Sequence, residues 1–159
     1  MPKPSVRSTG VAPRRAPARP VRALVVDRAA AGRRRICEAG RQSGIQSQWI
    51  EAADSTAAAQ MMASGEIDFV VADALILGDS LDWLRAAAGQ RGPLVVILGD
   101  DQQPLQIQQM LDAGADCLLS RRLPQSILES ELRELVALSA KRLADPVQRF
   151  VAFPNGSRS

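Results

Sequence analysis

The sequence predicts an α/β fold, a doubly wound five-stranded parallel sheet with helices on both faces. Three observations carry this expectation. VRALVVD from Val21, DFVVAD from Asp68 and PLVVIL from Pro93 are short apolar runs without polar alternation, the pattern of strands covered on both sides. Segments with helical spacing alternate with them along the chain. The core must be aliphatic, because 46% of the chain is hydrophobic while only 3% is aromatic and Tyr is absent.

Taken in order, the first strand is VRALVVD, followed by a helix over 30–42. IQSQWIEA from Ile45 is a weaker strand, and a helix over 54–64 follows it. DFVVAD is the third strand, with a helix over 80–90 after it, and PLVVIL the fourth, with a helix over 104–113. DCLLS from Asp116 is a weak fifth strand, and a helix over 124–143 closes the domain. In that last helix Ile127, Leu128, Leu132, Leu135, Val136 and Leu138 form an apolar face, and Pro124 suits its first turn. Gly44, Gly65 and Gly114 each follow a helical stretch, where a left-handed cap residue is wanted. Alternation of this kind requires right-handed crossovers.

Composition excludes several classes of function. A chain of 159 residues holds one domain with tails, and the division read here is a tail at 1–20, a domain at 21–143 and a tail or linker start at 144–159. The absence of His rules out a histidine general base and imidazole-ligated metal. Cys37 and Cys117 lack CxxC spacing and read as buried free thiols in a reducing, cytoplasmic setting. No apolar stretch approaches the roughly 20 residues that cross a bilayer, so no membrane partner is expected. Trp49 and Trp83 read as packing residues.

Charge is unevenly placed. Of the 20 basic residues, Lys3, Arg7, Arg14, Arg15, Arg19 and Arg22 precede every acid, leaving 14 against 17 acids, a net −3, for the remainder. The Pro-, Ala- and Arg-rich tail reads as disordered and solubilising. It is also the one segment through which nucleic acid could be contacted, and it has no aromatics for base stacking. After LADP the chain turns apolar again in RFVAF, which reads as the entry to another strand and allows this to be the N-terminal regulatory part of a larger protein.

In doubly wound sheets the functional crevice lies at the carboxyl ends of the strands. The first strand ends Asp27-Arg28, the third Asp73, the fourth Leu98-Gly99-Asp100 and the fifth Ser120-Arg121-Arg122. Burying Asp73 at the end of an apolar strand is costly without a partner, which a neighbouring arginine could supply.

The ordered segments VRALVVDR, EIDFVVADALILGD, PLVVILGD and AGADCLLSRR resemble the bacterial response-regulator receiver domain over roughly residues 21–142. That resemblance implies a flavodoxin-like (βα)5 arrangement and a place in two-component signalling. By position Asp27 matches the first of two metal-binding acids and Asp73 the phosphoacceptor. Arg28 replaces the second acid, Leu98 a Thr or Ser, Arg121 a Lys, Arg122 and Leu77 prolines, and Leu118 a switch Tyr or Phe.

Phosphoryl transfer to a carboxylate needs cationic help for the charge on the transferred oxygens. An arginine in place of a carboxylate reverses one contact with the expected ion, and a unit pair about 4 Å apart is worth about 4 kcal/mol at an effective dielectric near 20. Magnesium, with Asp27 and Asp73 as its only candidate ligands, is therefore expected to bind poorly, and no cofactor is expected. Arg28 is expected to pair with Asp73 or Asp27, and Arg121 could do the same. Leu98 and Leu118 remove the hydroxyl and the ring through which phosphate drives output in the family.

The function read from these residues is an atypical receiver that binds a protein partner or a second copy without phosphorylation. The surface expected for this comprises helix 102–113, strand 116–119 and helix 124–143, with Gln103, Gln106, Met110, Leu128 and Leu132 as contacts. The alternative is a phosphoaccepting relay domain using Asp73.

Overall fold

The computed structural model describes residues 19–64, 66–77, 82, 86, 93–100 and 102–144. Five strands are present: β1 Val21–Val26, β2 Ser47–Ala52, β3 Phe69–Asp73, β4 Leu94–Gly99 and β5 Cys117–Ser120. They form one sheet in the order β2-β1-β3-β4-β5, with every pairing parallel. The helices are α1 Ala30–Arg41, α2 Ser55–Ser64, α3 Ala74–Leu77, α4 Pro104–Asp112 and α5 Gln125–Ala144. The expected doubly wound fold is borne out. The helix expected over 80–90, Gly65, Trp83, and the segments 1–18 and 145–159 lie outside the described residues, apart from the helical positions 82 and 86.

Strand alternation sorts the apolar residues into two layers. Leu24, Val26, Val70, Ala72, Val95 and Ile97 face Ala58 and Met62 of α2 and Met110 of α4. Ala23, Val25, Phe69, Val71, Leu94 and Val96 point the other way, onto Ile36 of α1 and Leu128, Leu132 and Val136 of α5. Both faces are thus covered, which is why the central strands show no polar alternation. Trp49 is half-buried on this second face and meets Phe69 edge to face at 5.9 Å. Its indole leaves no room for a side chain at Gly40, where a Cβ would lie 2.0 Å from the ring.

Local signals end the helices where expected. Gly44 and Gly114 take positive φ, 79° and 121°, after α1 and α4. Asp54 caps α2 by accepting the Ala57 N–H at 2.8 Å, and Gln106 reaches back to the Gln103 N–H at 2.8 Å at the start of α4. The Pro124 carbonyl accepts from Ile127 and Leu128 as α5 begins.

Two features differ from expectation. α3 starts directly after β3, because ALIL carries no Gly or Pro to hold the chain out of a helix. Arg19, assigned to the tail, belongs to the fold: its guanidinium forks onto Asp68 at 2.9 and 2.8 Å. The Asp68 carboxylate also accepts the Arg22 N–H at 2.9 Å, and its carbonyl accepts the Leu94 N–H at 3.0 Å and the Ser139 hydroxyl at 3.1 Å. This buried acid ties the starts of β1, β3 and β4 to α5 at the amino ends of the strands.

Candidate functional site at the carboxyl ends of the strands

The chain runs from β1 out to β2 on one side and then returns to β3 on the other, so the order reverses between β1 and β3. Asp27 follows the first of these strands and Asp73 ends the second. Asp73 is 8% exposed. Its Oδ1 accepts from Nη2 of Arg121, which arrives from just past β5, and from the Leu75 N–H at 3.3 Å. Asp73 is therefore both an ion-pair partner and the cap of α3.

Asp27 is engaged within its own loop. Its Oδ1 accepts the Ala29 N–H at 2.8 Å, and its Oδ2 lies so close to Gly32 that a Cβ there would come within 2.4 Å. The carboxylate is folded over the first turn of α1.

The expected pairing of Arg28 with Asp73 or Asp27 is not formed. Arg28 is exposed and, among the described residues, makes no ion pair; only its carbonyl is used, by Arg33 at 3.2 Å. Position 28 follows a buried strand end and turns to solvent, whereas position 121 is delivered over β4 toward β3. The guanidinium that meets Asp73 is that of Arg121, just past β5.

Leu98 lies opposite Asp73 in the β3–β4 register and is 5% exposed, within the α1 and α5 layer. No hydroxyl stands at that position. Gly99 accepts the Arg121 N–H on its carbonyl at 3.4 Å, and Leu118 packs partly buried on the other face. Asp100 bridges to β5, accepting the Ser120 hydroxyl at 2.7 Å and facing Arg122 at 3.4 Å.

Two arginines of α1 had no role in the expectation and hold the loops around the crevice. Arg33 donates to the Asp27 carbonyl at 2.8 Å and pairs with Glu51 at 2.9 Å. Arg35 donates to Gln125 Oε1 at 2.8 Å and to the carbonyls of Arg121, at 3.0 Å, and Leu123. The signal was the RRR run at 33–35: a helix that starts after β1 begins at the carboxyl end, so its first basic residues can reach the neighbouring loops.

A hard divalent cation takes several oxygen ligands. Among the described residues no group of three or more His, Cys, Asp or Glu is placed to hold a metal. Asp27 and Asp73 each have an oxygen committed, the first to a backbone amide and the second to a guanidinium.

Three of the expected contact residues are core instead. Met110, Leu128 and Leu132 are 7%, 1% and 0% exposed and fill the two layers. Apart from Ile127, the apolar face read on the last helix is the face turned to the sheet. Gln103 and Gln106 are exposed, as are Leu105 at 69% and Ile127 at 44%.

No protein-family model matches the chain, and no curated protein sequence does. Solved structures do. A response regulator receiver domain protein (CheY-like) from Methanospirillum hungatei JF-1 is similar over 78% of this chain and 99% of its own, with a TM-score of 0.67 and 17% identity. The fold is that of CheY-like receiver domains. Two further solved structures agree. A response regulator from Thermotoga maritima covers 74% of this chain and 98% of its own, with a TM-score of 0.65 and 18% identity. The signal receiver domain of the putative response regulator NarL from Mycobacterium tuberculosis covers 74% and 97%, with a TM-score of 0.64 and 21% identity. Among the described residues no helix of this receiver fold is long and apolar enough to cross a membrane.

Proposed function

We propose that the chain is an atypical receiver domain of two-component-type signalling that docks a protein partner, or a second copy of itself, without being phosphorylated. One observation carries this reading: the Arg121 guanidinium is paired with Oδ1 of Asp73, so a cation already sits on the carboxylate that a phosphoryl group would have to reach. With Asp27 turned into its own loop and Leu98 in the core, β4 brings no hydroxyl beside Asp73 to read a phosphoryl group, and neither described acid stands free to seat a metal. Asp73 is on this reading a structural acid.

The docking surface proposed is the sheet edge at β5 with α4 and α5 beside it. α4 carries one charged residue, Asp112, which is bonded to Gln108 at 2.8 Å, while Gln103, Gln109 and Leu105 are exposed. An exposed helix so poor in charge suits a partner met through amide hydrogen bonds and apolar contact, and its association should be insensitive to salt.

Incubation with acetyl phosphate and magnesium, followed by intact mass, tests the reading: the mass is expected to stay unchanged. A phosphoryl group on Asp73 would instead establish the relay alternative. A BeF3-activated DrrB receiver domain shares the fold at a TM-score of 0.62, so beryllofluoride is a suitable second probe. Sedimentation at several concentrations and salt levels should show association that neither probe changes.

A further inference from the structure

Arg35 makes three contacts, and each is with a neutral oxygen on one short stretch of chain. Its Nε donates to Gln125 Oε1 at 2.8 Å, its Nη1 to the Arg121 carbonyl at 3.0 Å and its Nη2 to the Leu123 carbonyl. A guanidinium presents its donors in a rigid planar fork, so three acceptors held at once fix the position of the chain that carries them. α1 is thereby stapled to the loop between β5 and α5.

That loop is the root of Arg121. The Arg121 side chain is 39% exposed and has water as an alternative to Asp73. Holding a long, half-exposed side chain in one geometry costs rotamer freedom, and such pairs are weak when their backbone is free. Here the backbone is not free: the carbonyl of Arg121 is bound by Arg35 and its N–H by Gly99.

We propose that Arg35 is the positioning residue that keeps Arg121 seated on Asp73, making the placement of α1 the determinant of whether the carboxylate is covered. This rests on the reading that Arg121 closes the acid. Any partner that draws α1 or the Arg35 side chain away uncovers Asp73 without touching it.

A double-mutant cycle of Asp73→Asn and Arg121→Met, followed by urea unfolding of the full chain, measures the coupling of the pair, and the cycle is repeated in an Arg35→Met background. The coupling is expected to fall by more than half. Amide exchange at Arg122 and Leu123 should rise about tenfold or more as the loop is released. Coupling that survives Arg35→Met while exchange rises overturns this proposal alone. Absence of coupling in the unmodified background overturns the reading of Arg121 and this proposal with it. Arg35→Lys keeps the charge and stem but has a single-point head, so it should behave as Arg35→Met does, and it carries the test where Arg35→Met does not fold. Full coupling in Arg35→Lys would show that charge, not the fork, is the device, and would overturn the proposal.

Discussion

Arg121 and Asp73 meet across 48 residues of sequence and across the whole width of β4, which separates their strands in the sheet. The acid is nearly buried and the base is not, so the two substitutions are unequal. Arg121→Met leaves a buried carboxylate with, among the described residues, only the Leu75 amide, and should destabilise the domain by about 1–2 kcal/mol, between an exposed and a buried pair. Asp73→Asn keeps an oxygen for that amide and should cost less. Urea midpoints check both; a neutral Arg121→Met would mean that the pair contributes nothing.

Asp68 sits at the opposite end of the strands with its side chain 4% exposed, and it receives a forked guanidinium and a backbone amide. Asp68→Asn removes the charge and turns one acceptor into a donor facing donors, so a loss of about 2–3 kcal/mol is expected. Truncation supplies a sharper comparison. Removing residues 1–18 should leave stability unchanged, while removing 1–20 should lower it, because only the longer deletion takes Arg19.

Glycine substitutions should separate two kinds of cost. At Gly40 a methyl group would enter the Trp49 ring, so Gly40→Ala should lose about 1–3 kcal/mol and quench or shift the tryptophan emission. At Gly44 there is open space but φ is +79°, so Gly44→Ala should lose about 1 kcal/mol through the backbone alone, with unchanged emission. Equal spectra and equal losses for the two variants would refute this assignment.

The Cys37 thiol is pushed up to about 11, by burial first and by the nearby Glu51 second. The folded state keeps its proton where the unfolded thiol has begun to lose it, above 9.0. Stability is therefore untouched below that value and falls as pH rises from 9.0 toward about 11, at up to about 1.4 kcal/mol per pH unit. Comparison with Cys37→Ala isolates this contribution: the gap between the two proteins should narrow with rising pH in that window. A gap that stays constant would count against it.

The elements were legible because their signals are local. Uninterrupted apolar runs mark strands buried on both faces, and Gly44 and Gly114 sit where left-handed backbone is needed. Asp73 was legible as a carboxylate that had to find a cation. Which arginine it would find was not, since Arg28 and Arg121 are equivalent in composition and differ only in where the sheet order delivers them. Leu128 and Leu132 were misread as contacts for a related reason: an apolar stripe shows that a helix face is covered and says nothing of whether its own sheet or another chain covers it. Arg35 was the less legible because two of its three acceptors are backbone carbonyls, which carry no residue signature.

β5 spans only Cys117–Ser120 and, among the described residues, pairs with no strand other than β4. So short a margin leaves few unsatisfied main-chain groups to zip onto a foreign strand, and ladder extension on this flank is discouraged. If this flank docks a partner as proposed, selectivity has to come from the identity of the protruding residues, and altering Leu105 or Gln109 would redirect recognition while leaving the architecture untouched.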